Sequence, residues 1–326
     1  MTQPAPHRDP LPVVLICRRL LPAGRERLEA RCEIRVGGLD ATPEELIALA
    51  PGASAIVADP SVPVGDELLA AAGDGVRVVA NYAVGYDNVD LAACRARGIA
   101  VTNTPGALTN ATAELALALT LAAARRITEA EDELRAGRWA GWDPGDLLGL
   151  ELSRATFGVV GMGRIGTRYA QLIAPLADEI LYTSRSAKPE LDRELGAVRV
   201  GMDNLLARSD VVSLHVPASP ETAGLIGAAE LRAMRSHAVL VNTARGSLVD
   251  AGALARALHD GTIGAAGLDV YEHEPAVPQE LLDAPRCVLL PHIGSATTRA
   301  RDEMAVLVAQ NVLAVLDGAE PPNRVT

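Results

Sequence analysis

The chain has 326 residues, too many for one typical hydrophobic core, so two domains are the natural reading. It is 49% hydrophobic but only 2% aromatic, so its apolar content is Ala, Val, Leu and Ile, which suits helices on a parallel sheet better than an aromatic-rich sandwich. A formal charge of -11 argues against nucleic acid, because no basic excess is available to neutralise phosphates, although a local pocket can still hold a small anion.

The first stretch, "MTQPAPHRDPLP", is proline-rich and lacks the apolar core of a signal peptide. Strand-like and helix-like segments then alternate: "PVVLIC", "GRERLEARC", "EIRV", "PEELIALA", "SAIVAD", "GDELLAAA", "VRVVAN", "DLAACRARG" and "IAVTN". Five short strands with helices between them predict βαβ units. At Asn103 the alternation breaks. "TNATAELALALTLAAARRITEAEDELRAG", Thr109 to Gly137, predicts one long helix with Thr109 or Asn110 as its cap. After the loop "RWAGWDPGDLLGLEL" a second series follows: "FGVV", "EILYT", "AVRV", "VVSLHV", "AVLVN", "AAGLDV" and "CVLLPH". The last helical stretch, "SATTRARDEMAVLVAQNVLAVLDG", is predicted to return to the first domain. The fold class is therefore α/β, with two doubly wound parallel-sheet domains and a cleft between them as the place for a site. Residues 1–104 plus 296–326 form one domain and 105–295 the other.

Cys17, Cys32, Cys94 and Cys287 are scattered, with no C-x-x-C and no metal-like spacing, so they read as isolated thiols in a reducing cytosol and no metal is predicted. No apolar run is long enough to span a bilayer; "ELALALTLAAARR" is too short before its arginines. These features predict a soluble cytoplasmic protein with neither membrane nor nucleic acid as partner.

"FGVVGMGRIGTRYAQLIAP" places Gly161, Gly163 and Gly166 in a G-x-G-x-x-G between a strand and an amphipathic helix. Gly161 permits the tight turn, Gly163 lets backbone reach a pyrophosphate, and Gly166 lets helix and strand pack closely. The alternative is a tight βα turn, which the strand before, the helix after and the second strand "EILYT" disfavour. An NAD-binding unit usually ends that second strand with an acid for the ribose hydroxyls. Here Ser184, Arg185, Ser186 and Lys188 follow instead, which predicts a preference for NADP(H) over NAD(H). Merely solvated Arg185 and Lys188 are the other reading.

Three groups fall at strand ends of the second sheet. Arg245 follows "AVLVN", "GLDVYEHEP" carries Asp269 and Glu274, and "CVLLPHIGS" presents His292. Singly, each has an ordinary account: Arg245 pairing with Asp250, Glu274 as a loop acid before Pro275, His292 capping the last helix. Together at one sheet edge they are harder to dismiss. His215, after "VVSL", is a rival base, and His273 lies beside Glu274.

The motifs "NYAVGYDNVD", "TNTPGALTNATAELALAL", "GVVGMGRIG", "LHVPASPET", "VNTARGSLVD", "AGLDVYEHEP" and "LPHIGSAT" make nearly the whole chain resemble the D-isomer-specific 2-hydroxyacid dehydrogenases. The resemblance implies two Rossmann-like domains, the first binding substrate and the second the dinucleotide, usually in homodimers that the long middle helix and its following loop help to form. It implies Arg245, Glu274 and His292 as the catalytic three, with backbone at Val84 and Gly85 gripping the substrate carboxylate. It further implies cofactor contacts from Thr109, from Gly161, Met162, Gly163, Arg164, Ile165 and Gly166, and from Ser184, Arg185 and Ser186. His215, Val216, Pro217, Thr222, Thr243, Ala244, Arg245, Asp269, His292 and Gly294 complete that set. Within the family, "GRWAGWDPGDLLGLEL" and the serine-arginine ending of "LYTSRS" are most similar to glyoxylate/hydroxypyruvate reductases. In similar reductases an aromatic residue of that loop reaches toward the neighbouring subunit's pocket, a place for Trp142; ordinary packing of Trp139 and Trp142 is the alternative.

The chemistry follows from the side chains. Arg245 can hold a carboxylate with its planar fork and polarise the adjoining carbonyl. His292 can deliver a proton to the oxygen that gains negative charge, while Glu274 favours the charged imidazole and fixes its ring. The expected activity is reduction of a small 2-oxo acid to the D-2-hydroxy acid. The alternatives are 3-phosphoglycerate, D-lactate or phosphite dehydrogenase activity, or a cofactor-sensing scaffold like the family's corepressors.

Overall fold

The computed structural model describes residues 10–325, so the proline-rich start read above lies largely outside the described residues. Two units are present: residues through Leu108 together with those from Thr297 onward, and Thr109–Ala296.

In the first unit β1 (Val13–Ile16), α1 (Pro22–Glu29), β2 (Glu33–Val36), α2 (Pro43–Leu49) and β3 (Ala53–Ala58) follow in turn. Then come α3 (Asp66–Ala72), β4 (Val78–Asn81), α4 (Leu91–Ala96) and β5 (Ala100–Thr102). Every pairing is parallel, in the order β2-β1-β3-β4-β5. Strands of this kind are buried on both faces, so successive residues feed two cores. Leu15, Ile56, Val79 and Val101 pack on one face, and Val14, Val57 and Val78 on the other.

The second unit opens with α5 (Thr109–Ala124) and α6 (Ile127–Arg135), then β6 (Ala155–Val160), α7 (Arg164–Ile173), β7 (Ala177–Thr183), α8 (Pro189–Leu195) and β8 (Val198–Arg199). It continues through α9 (Met202–Arg208), β9 (Val211–Leu214), α10 (Ala228–Ala233) and β10 (Val239–Asn242). The last elements are α11 (Ala251–His259), β11 (Ala265–Leu268), α12 (Gln279–Leu282) and β12 (Cys287–Leu289). The sheet has seven parallel strands in the order β12-β11-β10-β9-β6-β7-β8. The chain winds outward from β6 to β8, then returns to β9 on the other side of β6. Loops from β6 and β9 therefore diverge at their carboxyl ends, the place where such sheets hold ligands. Phe157, Val159, Val211, Val239 and Val241 meet Leu119 of α5 and Tyr169 of α7 on one face. Val212, Leu214 and Leu240 meet Leu254 and Leu258 of α11 on the other.

The stretch expected as one long helix is two. Arg126 turns left-handed, with φ 53°, between α5 and α6. The reason is tertiary: the carbonyl of Ala124 accepts from the Leu150 N–H at 2.7 Å, and Gly149 lies so close that a Cβ would overlap that carbonyl. The returning loop thus occupies the line along which α5 would have continued, and packing overrides helix propensity. Glu129 holds the Arg126 guanidinium at 2.6 and 2.8 Å.

The final helix, α13 (Thr298–Leu316), belongs to the first unit, where Val308 and Val312 join the core of Val14 and Val57. Beyond it the Val325 N–H donates to the Val101 carbonyl at 2.7 Å, and Arg324 forms an antiparallel bridge with Thr102. Cys17, Cys32 and Cys94 are buried free thiols and Cys287 is partly buried. Among the described residues no helix is long and apolar enough to cross a membrane.

Candidate active site

Three adjacent strands of the second sheet deliver the candidate groups at the carboxyl edge. Arg245 follows β10, Asp269 and Glu274 follow β11, and His292 follows β12. Asn242, the buried last residue of β10, shapes the first loop: its Oδ1 accepts from the Ala244 N–H at 3.0 Å and its Nδ2 donates to the Arg245 carbonyl at 2.8 Å. Arg245 Nη1 donates to the Ala244 carbonyl at 2.8 Å. At Gly246 the loop lies directly on the backbone of Tyr271 and Glu272, which a Cβ would overlap. The arginine segment is thereby seated on the segment that carries Glu274.

Glu274 Oε1 accepts from the Tyr271 N–H at 3.0 Å, and Oε2 accepts from His292 Nδ1 at 2.6 Å. Burial pushes the Glu274 carboxyl up, but the His292 hydrogen bond, the Tyr271 N–H and the charges of His292 and Arg245 outweigh it. The net effect holds Glu274 below its ordinary range. With Nδ1 tied to the carboxylate, Nε2 is the ring atom left for proton transfer.

His292 has φ 52°, a left-handed backbone that costs a non-glycine residue on the order of 1 kcal/mol and persists only where its surroundings impose it. They do so here. Fully buried Asp269 accepts from the Ile293 and Gly294 N–H groups, each at 2.7 Å. Thr112 of α5 donates to the Gly294 carbonyl at 3.0 Å, and the Tyr271 hydroxyl donates to the Leu290 carbonyl at 3.0 Å. Burial pushes the Asp269 carboxyl up in spite of those two N–H groups and the nearby His292.

The ordinary accounts of these residues find other occupants. Thr297, not His292, caps α13 by accepting from the Ala300 N–H at 3.1 Å. Asp250 caps α11, accepting from the Ala253 N–H at 2.8 Å. His215 shares a 2.9 Å hydrogen bond with Ser213 through Nε2 and packs its ring on Tyr169, 5.1 Å between centroids. Burial pushes its pKa down to about 3, which makes it a poor rival as proton carrier near neutral pH. His273 is exposed.

The glycine motif has the geometry its spacing predicts. Gly161 has φ 99°, and a Cβ there would press on Val216 and the His215 carbonyl. A Cβ on Gly166 would overlap the Gly161 carbonyl, whereas one on Gly163 would meet open space. Met162 is buried in the turn, while Arg164 and Ile165 begin α7, whose N-terminus no side chain caps. Thr109 is the first residue of α5 and of this unit. The remaining candidates all sit in loops at carboxyl ends: Ser184, Arg185 and Ser186 after β7, His215, Val216, Pro217 and Thr222 after β9, and Thr243 and Ala244 after β10. The Thr222 hydroxyl donates to the Pro217 carbonyl at 2.8 Å and fixes that loop. The Thr243 hydroxyl is buried with no hydrogen-bond partner among the described residues. An open glycine, an uncapped helix N-terminus and an orphaned hydroxyl on one edge fit a dinucleotide.

Arg199 on β8 went unnoticed in the sequence. It donates to the Ser184 carbonyl at 2.8 and 3.2 Å and to the Arg185 carbonyl at 3.3 Å, while the Ser184 hydroxyl donates to the Ser186 carbonyl. Only the β7–β8 pairing brings it there. Asn242, Tyr271 and Thr112 were missed likewise, although an asparagine ending a buried strand is a signal for a shaped turn. Val84 and Gly85 lie in the first unit, after β4.

Comparison with known proteins identifies the family. The family model for the D-isomer specific 2-hydroxyacid dehydrogenase NAD binding domain matches residues 117–294. A glyoxylate reductase of Thermococcus litoralis is 50% identical over 254 residues, 77% of each chain. One of Aeropyrum pernix is 44% identical over 321 residues, 96% of each chain. The crystal structure of an NADPH-dependent glyoxylate/hydroxypyruvate reductase from Sinorhizobium meliloti, in complex with NADP and malonate, superposes with a TM-score of 0.86 at 35% identity over 97% of each chain. With a family domain matched across its second unit and relatives matched along nearly its full length, the chain belongs to the D-isomer specific 2-hydroxyacid dehydrogenase family.

Proposed function

We propose that this protein reduces glyoxylate or hydroxypyruvate to the corresponding D-2-hydroxy acid with NADPH, as a cytoplasmic homodimer. The observation that carries the reading is the 2.6 Å hydrogen bond from His292 Nδ1, after β12, to Glu274, after β11, the strand next to the β10 that leads into Arg245. Arg245 binds the substrate carboxylate through its fork and polarises the 2-oxo group. His292 holds a proton on Nε2 and donates it to the carbonyl oxygen; Glu274 accepts from Nδ1 and keeps the ring turned that way. The first unit grips the carboxylate through backbone at Val84 and Gly85, and the second holds the dinucleotide. The nicotinamide, when bound, supplies the hydride. Asp269 and Thr112 act one step back, imposing the backbone that presents His292.

Gly161, Gly163 and Gly166 with the N-terminus of α7 would hold the pyrophosphate, and Thr243 offers its hydroxyl to the same ligand. For the cofactor's 2′-phosphate, Ser184 and Arg185 supply a hydroxyl and a guanidinium where an acid would repel it. Arg199 supports this by bracing their carbonyls. The dimer reading rests on exposed apolar side chains along α6 and the loop after it: Ile127, Leu134, Trp139, Trp142 and Leu148. In that dimer Trp142, 85% exposed in the single chain, would reach into the partner's pocket and limit substrate size.

Initial rates with glyoxylate, hydroxypyruvate, pyruvate and 3-phosphohydroxypyruvate, each with NADPH and NADH, test the proposal. The first two acids with NADPH should give the highest kcat/KM. Equal efficiency with both cofactors would remove the NADPH preference, and no turnover with any acid beside tight NADPH binding would favour a sensing scaffold.

A further inference from the structure

Three consecutive carbonyls after β4 are each held from inside the first unit. The Ala83 carbonyl accepts from the Thr104 N–H at 2.9 Å, the Val84 carbonyl from Asn103 Nδ2 at 2.8 Å, and the Gly85 carbonyl from Asn81 Nδ2 at 2.8 Å. In a trans peptide the N–H points opposite to its own carbonyl, so pinning these three oxygens turns the N–H groups of Val84, Gly85 and Tyr86 the other way. None of those three N–H groups has an acceptor among the described residues. Successive outward N–H groups form an anion-binding concavity.

The two asparagines are themselves anchored. Asn81, fully buried at the end of β4, exchanges amide hydrogen bonds with Asn88 at 2.9 and 3.2 Å. Asn88 in turn donates to the carbonyls of Asp59 and Val62, each at 2.9 Å. Asn103 donates its N–H to the Asn323 carbonyl at 3.2 Å and accepts from Asn311 Nδ2 at 3.2 Å. Asn311 Oδ1 accepts from the Asn323 N–H at 3.1 Å, which ties the brace to α13 and the segment after it.

We infer that Asn81 and Asn103 are positioning residues for substrate: they fix the Val84–Gly85–Tyr86 backbone so that its N–H groups are preorganised for the carboxylate of the 2-oxo acid. This rests on the 2-oxo acid reading above and adds the device that makes a flexible glycine-containing turn bind an anion. A donating amide is what the role requires. Asn103→Asp keeps the shape but sets a carboxylate oxygen against the Val84 carbonyl, releasing that peptide to rotate.

The test is steady-state kinetics of the full-length enzyme with glyoxylate and NADPH, with oxalate as a dead-end probe, for Asn103→Asp, Asn103→Ala and Asn81→Asp. For the Asn103 variants the KM for glyoxylate and the Ki for oxalate should each rise about tenfold or more, with the KM for NADPH unchanged. Should the buried Asn81 variant fail to fold, the Asn103 variants decide alone. Unchanged glyoxylate KM and oxalate Ki overturn the inference, as does a loss confined to kcat and thermal stability, which marks a merely structural role. A wild-type enzyme that reduces no 2-oxo acid removes the underlying reading and this inference with it; a wild type that reduces glyoxylate beside indifferent variants removes the inference alone.

Discussion

Which ring nitrogen of His292 would work in the proposed reaction is decided by a carboxylate on the neighbouring loop. Glu274 occupies Nδ1, and a left-handed backbone held by Asp269 aims the ring. Because Glu274 is held below its ordinary range, its ionised form is favoured in the folded protein. The stability it contributes is fully present above its unfolded pKa of about 4.3, declines below that, and is gone once pH has fallen through the lower folded value. On the acid side, kcat/KM should therefore show no Glu274 limb at or above the ordinary carboxylate range; a fall centred there and absent in Glu274→Gln would contradict the depressed value. Glu274→Gln should cost about 10²-fold in kcat at neutral pH, from a misdirected imidazole. His292→Ala should cost on the order of 10²–10⁴-fold in kcat with a smaller effect on substrate KM. These residue types were legible in the sequence because strand ends and motifs located them. The φ of His292 and the two N–H bonds to Asp269 were not, since no local pattern encodes a contact spanning more than twenty residues.

At the scale of elements, the site is a set of loops whose spacing depends on backbone touching backbone. Gly246 is where the loop after β10 meets the loop after β11, with no room for a methyl group. In Gly246→Ala the two segments must separate, moving Arg245 away from Glu274. The expected result is a fall in kcat/KM of about 10²-fold with an intact circular dichroism spectrum; unchanged kinetics would show that the contact does not position the arginine. Elements with strong period and clear punctuation were read well, including all seven strands of the second sheet, although "AVRV" yields only the two residues of β8. The break between α5 and α6 was hidden because "ARRITEAEDELR" is good helix sequence and its interruption comes from Gly149 and Leu150, more than twenty residues away. Arg199 was hidden for a related reason: its partners lie across a strand pairing, not along the chain.

For the whole molecule, alternating strands and helices carried the two-sheet architecture into plain view, because parallel strands demand helical cover and leave apolar runs in the sequence. The exposed tryptophans instead raise a question of assembly. Sedimentation equilibrium should give the mass of two chains, and Leu134→Asp combined with Trp139→Asp should shift it toward one, since each places a charge in an apolar contact. A single-chain mass for the wild type would end the dimer proposal. The first unit is built from two stretches separated by the whole of the second, with α13 completing a face begun by β1 and Val325 bonding to β5. During synthesis, then, β1 must wait for α13 before that apolar face is covered. The Thr109–Ala296 unit, lying between those two stretches, can finish folding ahead of the unit whose strands precede it.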